Sequence, residues 1–111
     1  MTTHLPIVAD ITRVRAEVYP DVYVEAGADL TGHTAHLVVI DEDGDEIDRV
    51  AGVVTVLSAD SSTITFTPSA AMVATTYAAA TATYSVILDI ASEAARRTIA
   101  TGDWIVADYP G

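Results

Sequence analysis

The chain contains no cysteine and no lysine, and only 6% of its 111 residues are aromatic. Without cysteine there are no disulfides, thiolate metal ligands, cysteine nucleophiles or iron–sulfur clusters. Five arginines stand against sixteen acids, giving a formal net charge of −11. Neutralising phosphates requires clustered basic side chains, so nucleic acid is excluded as a partner. The same balance argues against an anionic lipid surface. Long apolar runs are also missing: the lowest-polarity stretch, residues 68–90, is interrupted by Thr75, Thr76, Thr81, Thr83, Ser85 and Asp89. The N-terminus, Met1-Thr2-Thr3-His4-Leu5-Pro6, has no basic start followed by an apolar stretch, so no signal peptide is expected. These absences predict a soluble, cytoplasmically made product with no membrane segment.

What remains points to β structure. Half the residues are hydrophobic, enough for one core at this length and not for two. Val, Ile and Thr together supply 38 residues. Their branched side chains are stiff at χ1 and fit a pleated sheet. The 19 alanines are spread among Thr and Val, and the surface helix formers Lys and Gln are absent.

Alternation predicts strands over 11–18, 22–24, 34–40, 53–57, 63–67 and 84–90, with two short closing strands at 98–100 and 104–106. In the first, Val14, Ala16 and Val18 would face the core and Arg13, Arg15 and Glu17 the solvent. Asp41-Glu42-Asp43-Gly44-Asp45-Glu46 is a polar turn whose Asp-Gly step suits a hairpin. The Ala-rich stretch after Pro68 predicts a helix of one or two turns near 69–76. About seven short strands separated by turn signals fit an all-β fold, a β-sandwich. It would occupy residues 10–111 as a single domain, with 1–9 as an N-terminal arm.

Candidate chemistry is sparse. His33 and His36 are three apart, a chelating spacing on a helix, but on a strand they point to opposite faces. Asp41, Asp43 and Asp45 with Gly44 resemble part of a calcium loop, yet the sixth and twelfth positions hold Glu46 and Gly52 instead of Gly and Glu. A solvated hairpin tip accounts for them, and no metal or cofactor is expected. No Gly-x-Ser-x-Gly elbow surrounds any serine and the six glycines form no phosphate loop, so no catalytic residue is expected and the chain does not read as an enzyme. Trp104 with Tyr109, and Tyr19 with Tyr23, are either a binding patch or sheet packing. Identical copies of so acidic a chain would repel one another. Arg13, Arg15, Arg49, Arg96 and Arg97 are the only side chains able to relieve this by pairing across an interface.

The order of motifs resembles a bacteriophage family. Ala28-Asp29-Leu30-Thr31-Gly32-His33-Thr34-Ala35, running into a strand, looks like the "D-L-T-G-x-T-A" segment in the immunoglobulin-like N-terminal domains of phage baseplate upper proteins and related tail-fibre proteins. In that group an Asp/Gly turn, two strands, a Thr/Ala-rich segment, a Tyr-led strand and a final "G-x-x-x-V" strand follow. Residues 41–45, 53–67, 68–76, 84–90 and Gly102-Asp103-Trp104-Ile105-Val106 are the matching pieces. The resemblance spans residues 21–108. It departs from the family at Tyr84-Ser85-Val86, where "Y-D-L" is usual, and at the turn 91–95, which lacks glycine.

Family members are often the first domain of a longer chain, whereas this one ends at Gly111. The resemblance therefore implies a small adaptor or accessory subunit of the tail, baseplate or fibre-attachment region. A capsid decoration protein is the alternative. The implied location is the virion, and the implied partners are other virion proteins and further copies of the chain. Arg96, Arg97, Arg13, Arg15, Trp104 and Tyr109 are the expected interface residues. From a different class, a carbohydrate- or calcium-binding sandwich would need aligned aromatics or an ion-ordered turn at 41–45.

Overall fold

A computed structural model describes residues 7–16, 22–27, 29–94 and 96–108. The order is β1 (Ile7–Val8), β2 (Ile11–Val14), β3 (Val22–Ala26), β4 (Ala35–Ile40), β5 (Glu46–Ala51), β6 (Val53–Ser58), β7 (Ser61–Phe66), a short 3-10 helix (Ala70–Val73), β8 (Tyr77–Leu88) and β9 (Arg97–Ala107). They form two sheets: β1-β9-β8-β4-β5, with β2 also on β9, and β3-β7-β6. This is the β-sandwich that the branched composition predicts.

Period-two alternation builds the interior. Val22 and Val24 of β3 and Ile64 and Phe66 of β7 face Leu37 and Val39 of β4 and Tyr84, Val86 and Leu88 of β8. Each such side chain contributes about 1.5–3 kcal/mol on leaving water. Trp104 lies at the end of this layer, fully buried and edge-on to Tyr84, with ring centroids 6.3 Å apart. Its indole N–H donates to the Met72 carbonyl at 2.9 Å, which ties the 3-10 helix to β9.

Several boundaries differ from the expectation. β9 is one strand, not two, because the Gly102-Asp103 step runs straight through opposite β8. The 3-10 helix falls inside the expected 69–76, but the strand expected from Tyr84 begins at Tyr77. Ala78, Ala79 and Ala80, between the expected helix and strand, lie in a bulge of β8, where the register to β9 slips between Tyr77 and Ala82. Ala80 takes φ +66 there, and its N–H donates to the Asp103 carboxylate at 2.9 Å. β5 was not foreseen. Three of its six residues are charged, and a register shift between Val39 and Ile40 of its partner breaks the alternation that marks a strand.

The first expected strand is shorter and faces the other way. β2 ends at Val14, and Ala16 turns to φ +68 with its N–H on the Val73 carbonyl. β2 pairs parallel with β9, Ile11 beside Trp104 and Arg13 beside Val106, and residues paired in this way share a face. Trp104 and Val106 are buried, so Ile11 and Arg13 lie on the core side, and Arg13 is half-buried with its Nε shielded from water.

Of the expected arm, the described Ile7 and Val8 pair with Ala100 and Thr101 in the same parallel register that β2 continues. Between them, the Ala9 N–H donates to the Thr101 carbonyl at 3.0 Å, and the Tyr84 hydroxyl donates to the Ala9 carbonyl at 2.6 Å. A Cβ on Gly102 would fall on that same Ala9 carbonyl. Gly102→Ala is therefore expected to lower stability by about 1–3 kcal/mol through overpacking against backbone. Urea unfolding measures the loss, and hydrogen exchange should place the faster-exchanging amides in residues 7–14.

Candidate functional site

The acidic turn joins β4 to β5, as the Asp-Gly step predicts. Asp41 organises it: one carboxylate oxygen accepts the N–H groups of Asp43 at 2.9 Å and Asp45 at 3.0 Å. The Asp41 N–H donates to the Asp45 carbonyl at 2.9 Å, and Gly44 at φ +85 supplies the left-handed residue the turn needs. Asp41, Asp43 and Asp45 can bring one oxygen each within 4.8 Å of one another. One of the two Asp41 oxygens already accepts backbone N–H groups, so the carboxylate has a structural role in the turn.

The Asp29-Leu30-Thr31-Gly32 segment is a second built turn. Asp29 accepts the Thr31 N–H at 2.9 Å and also its hydroxyl, and this pair of bonds holds the Asp29 carboxyl below its usual range. Leu30 plugs the core, and its N–H donates to the buried Ser62 hydroxyl at 3.1 Å. The His33 N–H closes on the Leu30 carbonyl at 3.0 Å, with Gly32 at φ +81 in the third position, as a type II turn requires.

His33 and His36 do not converge. His33 Nδ1 lies 2.6 Å from the Asp89 carboxylate, just after β8, while His36 is half-buried in β4 opposite Ile87 and Ala51. Asp89 also accepts the Thr34 N–H at 3.1 Å, and its own N–H returns to the Thr34 carbonyl at 2.8 Å. The His33 side chain and the Thr34 N–H hold the Asp89 carboxyl below its ordinary value.

The expected interface residues separate. Trp104 belongs to the core, where no partner reaches it. Tyr109 and Tyr19 lie outside the described residues. Arg15 pairs with Asp108 and Arg49 with Glu46 inside the chain, although such exposed pairs add little stability. The Arg96 guanidinium donates to the Ile90 carbonyl at 2.6 Å, and Arg97 is exposed at the start of β9. Of the aromatics described, Tyr23 stands out at 68% exposure, while Tyr84, Phe66 and Trp104 are buried. The described residues thus present no row of aromatics for stacking sugars.

Two features escaped sequence reasoning. An open groove of about 360 Å³ runs where the β1–β2 line meets β3, lined by Asp10, Ile11, Tyr23, Glu25 and Tyr84. Burial, with the Asp10 charge adding to it, pushes the Tyr84 phenol up, so it stays protonated at neutral pH. The second is β6, whose Val53, Val56 and Leu57 are exposed by 66%, 40% and 62%. Alternation alone could not have revealed it, since exposure there follows from β6 lying at the sheet edge.

No protein-family model matches the chain, and no curated protein matches it.

Two expectations follow from the turns. Asp41→Ala should cost about 1 kcal/mol by stranding two N–H groups, while Asp43→Ala, whose carboxylate accepts neither, should stay within about 0.5 kcal/mol in urea unfolding. Calcium should produce no calorimetric heat that depends on Asp43; a heat lost in that variant would establish a metal role. For the Asp89 latch, a depressed folded pKa means stability that is present above the ordinary carboxylate range and lost as pH falls through the lowered value. Asp89→Asn should flatten the acid side of the stability–pH profile in thermal melts while keeping the left-handed backbone that Asn tolerates (φ +53 at this position).

Proposed function

We propose that the chain is a structural virion protein of a bacteriophage, a small adaptor or accessory subunit of the tail, baseplate or fibre-attachment region that works by docking. The observation that carries this reading is the placement of the Asp29-Leu30-Thr31-Gly32 turn. It leads into a central strand of a sandwich whose strand order suits the resemblance. The sheet β3-β7-β6 opposes β9-β8-β4, and β2 runs parallel to β9. Numbered along the chain, this is the B-E-D against G-F-C arrangement of an immunoglobulin-like domain. The segments that resemble the family's Asp/Gly turn and Thr/Ala segment lie at the β4–β5 hairpin and around the 3-10 helix, whereas the one matched to its Tyr-led strand starts midway along β8.

The chemistry of the surface agrees with a docking role. The turns spend their carboxylates on backbone N–H groups, and the groove beside Tyr84 is open rather than enclosing. A many-copy particle makes a modest interface per subunit effective. Capsid decoration uses the same sandwich at a different position, and microscopy separates the two.

Purified phage particles from the encoding source should contain the chain by mass spectrometry, and immunogold electron microscopy should place it on the tail or baseplate. Label on the capsid would select decoration instead. Chain recovered only as free protein, with none in particles, would sink the reading.

A further inference from the structure

We infer that β6 is a self-pairing edge, through which two copies of the chain join their three-stranded sheets into one continuous sheet of six strands. Edge strands invite pairing, and proteins block it with charge, proline or broken backbone. The other edges of this molecule carry such blocks. β5 holds Glu46, Asp48 and Arg49, and β3 holds Glu25. The β1–β2 line is interrupted at Ala9-Asp10 and carries Arg13. β6 is Val53-Val54-Thr55-Val56-Leu57-Ser58, without charge or proline, and among the described residues it pairs with β7 alone. Its one irregularity is the register shift between Val56 and Ser58, at its end.

The occupant is a second copy for two reasons. The first is charge. Each copy carries −11, so copies can abut only where no acid meets an acid, and β6 is the uncharged edge. The second is register. Val53 pairs with Thr65, which pairs with the exposed Tyr23, so Val53 and Thr55 lie on the outer face, while Val54 pairs with the buried Ile64 on the inner face. A two-fold axis perpendicular to the sheet keeps outer residues opposite outer ones. Centred on Thr55, it sets Thr55 opposite Thr55 and Val54 opposite Val56, with Val53 reaching the bulged Leu57. Every pair is then apolar with apolar or hydroxyl with hydroxyl, the combinations that stabilise antiparallel sheets. The interface is isologous and closes at two copies.

This deepens the docking reading by naming a surface, and it is tested without particles. Sedimentation velocity of the full chain, up to about 1 mM, should show a weak dimer, as a small interface implies. Raising salt from about 0.05 M to about 0.5 M should tighten it by at least about threefold, because screening relieves the repulsion between two acidic copies. Thr55→Asp, exposed and away from the core, should weaken it at least about tenfold by setting like charges opposite each other, with thermal melts verifying that the variant folds. Because the chain has no native cysteine, Thr55→Cys should form a disulfide-linked dimer on mild oxidation far faster than Ser92→Cys, which lies in an exposed loop. A monomer at every salt and concentration, or equal cross-linking of the two cysteine variants, overturns the inference. Neither result bears on whether the chain is found in particles.

Discussion

The sandwich depends on β9 being shared. It carries β8 antiparallel on one side from Arg97 to Val106, with two register shifts, and the β1–β2 line parallel on the other from Ala100 to Ala107. Two demands meet there. Trp104 must be buried with its indole N–H satisfied, and the Met72 carbonyl meets that need only if the 3-10 helix sits at the end of the sandwich. Gly102, two residues earlier, must lack a side chain so that the Ala9 backbone can cross. Once both are met, Tyr84 is fixed between them, with its ring against Trp104 and its hydroxyl on the Ala9 carbonyl. The sheet centre, the N-terminal strands and the 3-10 helix are thereby coupled through three residues.

Much of the acidity has a structural origin. Asp29, Asp41, Asp89 and Asp103 each accept backbone N–H groups at a turn or bulge, and Asp10 accepts the N–H of Asp103. The chain contains no asparagine, the other residue suited to such positions, so aspartate fills them all. The consequence is electrostatic. Each cap adds a full negative charge to a chain in which five arginines face sixteen acids, two of those arginines being held in pairs with nearby acids. Local backbone satisfaction is thus achieved at the expense of long-range repulsion, and that repulsion falls on any contact between copies.

The parts legible in the sequence were those set by local chemistry. The β class followed from branched residues, the hairpin at Asp41 from its Asp-Gly step, and the 53–57 and 63–67 strands from alternation bounded by a turn cluster. The misjudged parts were decided by distant partners. Arg13 reads as a wet-face residue until the parallel register with β9 turns it toward the core side. The alanines 78–80 fell between the expected helix and the expected strand, and only the Asp103 carboxylate, which holds a bulge open there, puts them in β8. Trp104 read as sheet packing or as part of a binding patch, and the Met72 carbonyl, 32 residues away, satisfies its indole N–H within the core. The candidate interface dissolved for a related reason: an arginine looks available in a sequence whether or not a local carboxylate or carbonyl already holds it.

Edges and charge together determine where this molecule can meet another. Blocking an edge with charge protects a strand from any partner, whereas leaving it bare protects nothing. On a chain of ordinary charge, β6 would be an aggregation hazard, since exposed Val53, Val56 and Leu57 flank open backbone groups. Here the surrounding acidity changes that. Non-specific stacking of copies would bring the turns at Asp41 and Asp89 toward other acids, so the global charge disfavours most approaches. An antiparallel approach of two β6 strands keeps an uncharged strip at the contact. The bare edge is therefore selective because the rest of the surface repels, and the specificity of the contact comes from charge placed elsewhere in the fold.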